Sequence, residues 1–109
     1  MAWDPGLAQV LRDDLADLPI VEKKMFGGLA FLWHGHMVCG VHKGGAMFRV
    51  GKDHYAHALA IAGVSPMAFT GKPMTGMVEC NDAACIDDQR RGQLMTMALD
   101  CVRALPPKP

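Results

Sequence analysis

A chain of 109 residues with 11 basic and 11 acidic side chains is sized for one domain and carries no net charge, which argues against a protein that simply coats nucleic acid. Half of the residues are hydrophobic, yet only 6% are aromatic and 9 are methionine, so the expected core is aliphatic and rich in adaptable thioethers. No run approaches the ~18 uncharged apolar residues of a membrane-crossing helix, and the N-terminus MAWDPGLAQVLRDD meets acids before any long apolar stretch, unlike a secretory signal.

These exclusions make the cytoplasm the expected compartment. The four cysteines, Cys39, Cys80, Cys85 and Cys101, are therefore expected as reduced thiols rather than a disulfide framework. Charge is uneven along the chain: residues 1–22 hold one Arg against five acids, 23–78 six Lys/Arg against one acid, and 79–109 four against five. The middle is basic, but no tight Lys/Arg cluster marks a binding surface.

In DPGLAQVLRDDLADLP, Leu7, Val10, Leu11, Leu15 and Leu18 recur at helical spacing, Asp4 can cap and Pro5 suits the first turn. Pro19 ends that helix. Apolar segments broken by glycine follow at roughly 25–33, 36–42 and 46–51, and the short loops His34-Gly35-His36 and Lys43-Gly44-Gly45 predict an antiparallel three-stranded meander. Gly27-Gly28 and Gly40 suggest bulges or close backbone approach. KDHYAHALAIAG reads as a short helix with Asp53 as cap, Tyr55, Ala58, Leu59 and Ala62 on one face and Gly63 as stop. Two short strands near 66–69 and 75–80 flank a turn at Thr70-Gly71-Lys72-Pro73. A last helix carries Leu94, Ala98, Cys101, Val102 and Leu105, begins near Asp87 or Asp88 and stops at Pro106-Pro107.

The expected fold is thus α+β and two-layered: an antiparallel five-stranded sheet with helices on one face, in the order α-β-β-β-α-β-β-α. Residues 1–109 are expected to form a single domain.

Candidate chemistry is sparse. Strict alternation along a strand would put His36, Val38, Gly40 and His42 on one face and Met37, Cys39 and Val41 on the other, so Cys39 lacks a base unless a bulge at Gly40 re-aims the chain. His54 and His57 share a helix surface, but no CxxC or HExxH frame accompanies them. Thr70-Gly71-Lys72-Pro73 has Pro where a phosphate loop needs Ser or Thr. Asp13-Asp14 and Asp87-Asp88 diverge on a helix and suit solvation or capping. No cofactor, metal or catalytic residue is expected. For nucleic acid, Phe26, Phe31, Trp33 and Phe48 lie among Lys23, Lys24, Lys43, Arg49 and Lys52, with Trp33 the aromatic best placed for exposure.

Taken together, KKMFGGLAFLWHGHMVCGVHKGGAMFRVG, SPMAFTGKPMTGMVEC and CVRALPPK resemble the TfoX/Sxy N-terminal domain family of bacterial competence regulators over about residues 10–108. The family-matching positions are Met25, Phe26, Gly27, Gly28, Phe69, Thr70, Gly71, Pro73 and Met74. The resemblance implies a cytoplasmic two-layer α+β domain, coupled in the best-known members to a C-terminal helical domain and acting with the cyclic-AMP receptor protein as a coactivator. With the chain ending at Pro109, that second domain is expected to be missing. The resemblance names no catalytic residues.

The resulting expectation is a non-enzymatic adaptor in transcription or competence-type regulation that contacts a protein partner such as a regulator or the transcription machinery. Its surface is expected at Lys23, Lys24, Trp33, His34, His36 and the loop Thr70, Gly71, Lys72, Pro73. The alternatives are direct nucleic-acid binding through the basic middle and, less favoured, a small thiol- or metal-dependent enzyme. An exposed sheet edge also offers a route to a homodimer.

Overall fold

Helix α1 (Pro5–Asp14) starts where Asp4 accepts the Gly6 amide at 2.8 Å, with Pro5 at the first helical position. It ends at Leu15, earlier than Pro19, but Leu7, Ala8, Leu11 and Leu15 are all buried. The computed structural model describes residues 3–25, 27–69 and 72–106, with 68, 69 and 72–74 described by backbone alone.

Six strands follow rather than five: β1 (Val21–Met25), β2 (Gly28–Trp33), β3 (His36–His42), β4 (Gly45–Arg49), β5 (Val64–Phe69) and β6 (Lys72–Cys80). Three helices complete the chain: α2 (Lys52–Leu59) between β4 and β5, then α3 (Asp82–Ile86) and α4 (Asp88–Arg103), so the order is α-β-β-β-β-α-β-β-α-α. The segment expected as one strand over 25–33 is divided because Gly27, at φ 73°, turns the chain and pairs Met25 with Gly28. The missed strand VEKKM is an edge strand with four exposed residues, and its charges hide it from an apolar pattern. The extra helix α3 is capped by the Asn81 side chain, which accepts the Ala84 amide at 2.9 Å. Helix α2 follows Gly51, at φ 83°, without a side-chain cap; Asp53 lies in its first turn instead of capping it.

The sheet is antiparallel throughout, in the order β1-β2-β3-β4-β6-β5. Residues 34 and 35 form the β2–β3 turn with positive φ at both His34 (55°) and Gly35 (83°), the pattern of a type I′ hairpin. The β5–β6 strands extend past the expected limits, so Lys72 and Pro73 belong to β6, paired with Phe69 and Ala68. Thr70 and Gly71 lie outside the described residues, as does Phe26.

One sheet face carries the helices. Leu29, Phe31, Cys39, Val41, Phe48 and Val78 meet Leu7, Leu11, Leu94, Ala98 and Val102 in one buried cluster. Phe31 and Phe48 are wholly buried, each worth about 1.5–3 kcal/mol of transfer free energy. Cys80 and Cys85 are joined as a disulfide, contrary to the expectation of reduced thiols: the return from β6 into α3 brings their Cα atoms to 6.1 Å. Cys39 and Cys101 are free.

Candidate functional site

Alternation along the strands builds a second apolar cluster on the other face, from Ala30, Met37, Met47, Met67 and Met77, with Met25 and Leu32 packed against it. Among the described residues, this cluster contains no helix residue. The register puts Val21, Lys23 and Met25 of β1 on this side, opposite Leu32, Ala30 and Gly28, while Glu22 and Lys24 face the helix layer. In β4, Met47 and Arg49 share the methionine face, opposite Glu79 and Met77 of β6. Among the described side chains, methionine therefore appears on this face in each of β1, β3, β4, β5 and β6. Unbranched thioethers conform to more than one shape, which suits a surface that binds.

At the end of the sheet near the His34-Gly35 turn, this face opens into a groove of about 1170 Å³. Its walls include Val21, Met25, Leu32, Met37 and Met77, and it passes over the strand ends to Cys101 and Leu105. Lys23, Arg49 and Lys52 line it, and among the described residues no carboxylate does. Among the described residues these three cations form no ion pair, whereas Arg12, Arg90 and Arg91 are bound to Glu22, Asp87 and Asp14. At the opposite end of the same face, His42 Nε2 stands 3.2 Å from Glu79, within ion-pair reach though out of hydrogen-bond alignment. A smaller concavity of about 400 Å³ between α2 and α4 includes Arg90, which already bonds Asp87 and the Ala62 carbonyl.

The residues expected as a partner surface are dispersed. Lys23 lines the groove, and Lys24 projects from the opposite side of β1. Trp33 is half-buried beside His34, at 4.8 Å between ring centroids, with the Arg103 guanidinium 5.7 Å above its ring. His34 is exposed at the turn, but His36 is buried, because its Nε2 lies 2.7 Å from the Pro106 carbonyl and donates to it. His36 is thus a clamp on the C-terminal segment rather than part of an open loop. Thr70 and Gly71 lie outside the described residues, and of Lys72 and Pro73 only the strand backbone is described.

The alternation expected for β3 is also corrected. A bulge at Val38 lets Leu32 pair with Met37 while Phe31 pairs with Cys39, so Cys39 joins His36 on the helix side. This does not make a nucleophile: Cys39 is wholly buried, and desolvation, reinforced by Asp14, pushes its thiol well above the ordinary range. Among the described residues no three His, Cys, Asp or Glu side chains converge as a metal site requires. No helix among them is long and apolar enough to cross a membrane.

The arrangement defines a two-layer α+β protein with helices on one sheet face and a methionine-lined, cation-edged groove on the other. The sequence profile of the TfoX N-terminal domain matches residues 13–102, and the chain belongs to that family, one of competence-related regulatory rather than enzymatic domains. Neither curated proteins nor solved structures give a significant match.

Proposed function

We propose that the chain is a non-enzymatic regulatory module that holds a protein partner against the helix-free face of its sheet, as an adaptor in transcription or competence-type control. The observation that carries this reading is the groove of about 1170 Å³ with an apolar methionine floor and three cations that have no carboxylate partner among the described residues. Direct nucleic-acid binding is less well supported. Among the described residues the groove lining contains no aromatic side chain for base stacking, and Phe31 and Phe48 are sealed in the opposite cluster.

The test is capture from a native bacterial lysate with the tagged chain, before and after nuclease treatment, alongside a Lys23→Glu/Arg49→Glu variant and a Lys43→Glu control. Lys43 is exposed in the β3–β4 turn, away from the groove lining. A protein retained after nuclease, lost with the double variant and kept with the control is expected. Recovery of nuclease-sensitive material alone would replace the adaptor with a nucleic-acid binder, and retention by the double variant would move the surface elsewhere.

A further inference from the structure

We infer that the groove recognises an acidic amphipathic helix of its partner, a deduction that rests on the adaptor reading and adds the chemistry of what is bound. Three features of the site select this occupant.

The first is size. Small-ligand pockets usually hold ~300–1000 Å³ and enclose most of the ligand. At about 1170 Å³ the groove exceeds that range, and it lies open along the sheet face and over its end. From β1 across β2, β3 and β4 to β6 there are four inter-strand steps of ~4.8 Å, about 19 Å. At ~1.5 Å per residue, about 13 residues of helix span that distance.

The second is the floor. Met25, Leu32, Met37 and Met77 offer an apolar strip of flexible side chains. Such a strip accepts the i, i+3/i+4, i+7 stripe of an amphipathic helix without demanding one fixed shape. A peptide strand added at the β1 edge would extend the sheet sideways and leave these methionines on the sheet face uncovered.

The third is charge. Lys23 on β1 and Arg49 on β4 stand three strand steps apart, roughly 14 Å by the same spacing, with Lys52 beyond Arg49 at the start of α2. Spaced along that span, with no acid among the described lining residues, these cations complement a helix that carries Asp or Glu beside its apolar stripe at points about nine residues apart. A basic amphipathic helix would meet like charge at both places.

Fluorescence anisotropy with synthetic peptides tests the inference on the full chain. The probe is a labelled Leu/Glu amphipathic peptide of about 16 residues, long enough to form helix when docked. Comparators are the same pattern with Lys for Glu, the Leu/Glu peptide broken by a central Pro, and dodecanoate. Lys23→Glu and Arg49→Glu are each expected to weaken the Leu/Glu peptide about fivefold, the scale of one solvent-accessible ion pair, and Lys43→Glu to leave it unchanged. The Leu/Lys and Pro-broken peptides are expected to bind at least about tenfold more weakly.

Equal binding of the Leu/Lys peptide, or indifference to both charge reversals, would overturn the acidic chemistry. Equal binding of the Pro-broken peptide would overturn the helix. Binding of dodecanoate without binding of the Leu/Glu peptide would make the groove a small-amphiphile site and overturn both. The two readings fail separately: if no peptide binds but lysate capture still depends on Lys23 and Arg49, the adaptor stands and the helix inference falls. If the unaltered chain captures no nuclease-resistant protein, the adaptor reading falls as well.

Discussion

Arg91 in α4 lays its guanidinium against Asp14 at the end of α1, Nε to Oδ2 at 2.7 Å, and so ties the two helices that flank the whole sheet in sequence. The same group donates to the Cys85 carbonyl at 3.0 Å and to Asp88 at 2.8 Å, which anchors the turn between α3 and α4. The hydrogen bond to Asp14 is the main reason the guanidinium's pKa is raised. Replacement of Arg91 by Ala takes the side-chain donor from the buried Cys85 carbonyl and breaks the link to Asp14, at a cost of about 2–3 kcal/mol. Arg91→Lys keeps the charge but not the fork and is expected to cost about 1–2 kcal/mol. Urea unfolding measures both, and a loss under about 1 kcal/mol for Arg91→Ala would make the network incidental.

Gly27 and Gly28 are adjacent but required for different reasons and to different degrees. Gly27 adopts φ 73° in open space, so Gly27→Ala pays only for the left-handed backbone, about 1–2 kcal/mol. A Cβ on Gly28 would lie 2.0 Å from the Val41 carbonyl oxygen, in the backbone of the neighbouring strand. Gly28→Ala is therefore expected to lose at least about 3 kcal/mol and to broaden the NMR signals of β2 and β3. Asn should partly rescue position 27, because it tolerates φ > 0, but not position 28. Thermal melts of the Ala and Asn variants at both positions would show a reversed order if this assignment were wrong.

The cysteines separate into two populations. Cys80–Cys85 closes a very short loop, so its reduction is expected to cost about 2 kcal/mol by the chain-entropy relation. Of the free thiols, Cys101 is half-buried at the groove and Cys39 has no exposure. Thiol titration of the native, unreduced protein should label Cys101 quickly and Cys39 only on unfolding. Rapid labelling of Cys39, or a melting temperature insensitive to reductant, would contradict the packing described.

Acid should loosen the contact between α1 and β1. Arg12 Nη2 donates to Glu22 Oε1 at 2.8 Å, and this hydrogen bond is the main cause that holds the Glu22 carboxyl below its ordinary range. A carboxylate with a folded pKa below its unfolded one contributes stability that is present above the unfolded pKa and lost as pH falls through the folded one. Asp87, lowered chiefly by Arg90, falls in the same window. Because the Arg12–Glu22 pair is more than a third exposed, Glu22→Gln is expected to cost no more than about 1 kcal/mol at neutral pH. The deficit should shrink as pH falls through the folded pKa and vanish once the carboxyl is protonated in both states. A Glu22→Gln deficit that persists in acid would assign the effect to packing.

What could be read from the sequence follows from where each signal resides. Asp4-Pro5 and Asp87 mark helix starts through local caps, and His34-Gly35 marks a hairpin through its backbone demands, so each was visible within a few residues. β1 escaped because an edge strand protects itself with charge, and Val-Glu-Lys-Lys lacks an apolar rhythm. The bulge lies at Val38, which has no distinguishing side chain, whereas Gly40, the residue whose type suggests a bulge, is needed by the neighbouring backbone for another reason: a Cβ there would meet the Leu29 carbonyl at 2.7 Å. The groove was the least visible feature. Its methionines are spread from Met25 to Met77 and converge only once the sheet order is known, so their number was apparent and their common face was not. The available signal is a methionine in every strand but β2.

The most direct test of the helix-free face as the working surface is site-specific photo-crosslinking in the organism the chain comes from, with p-benzoylphenylalanine in place of either Thr75 or Thr96. Both positions are exposed; Thr75 lines the groove, and Thr96 lies on α4 in the helix layer. The account expects a discrete protein adduct from position 75 and none from position 96. An adduct from position 96 alone would place the functional surface on the helices and contradict it.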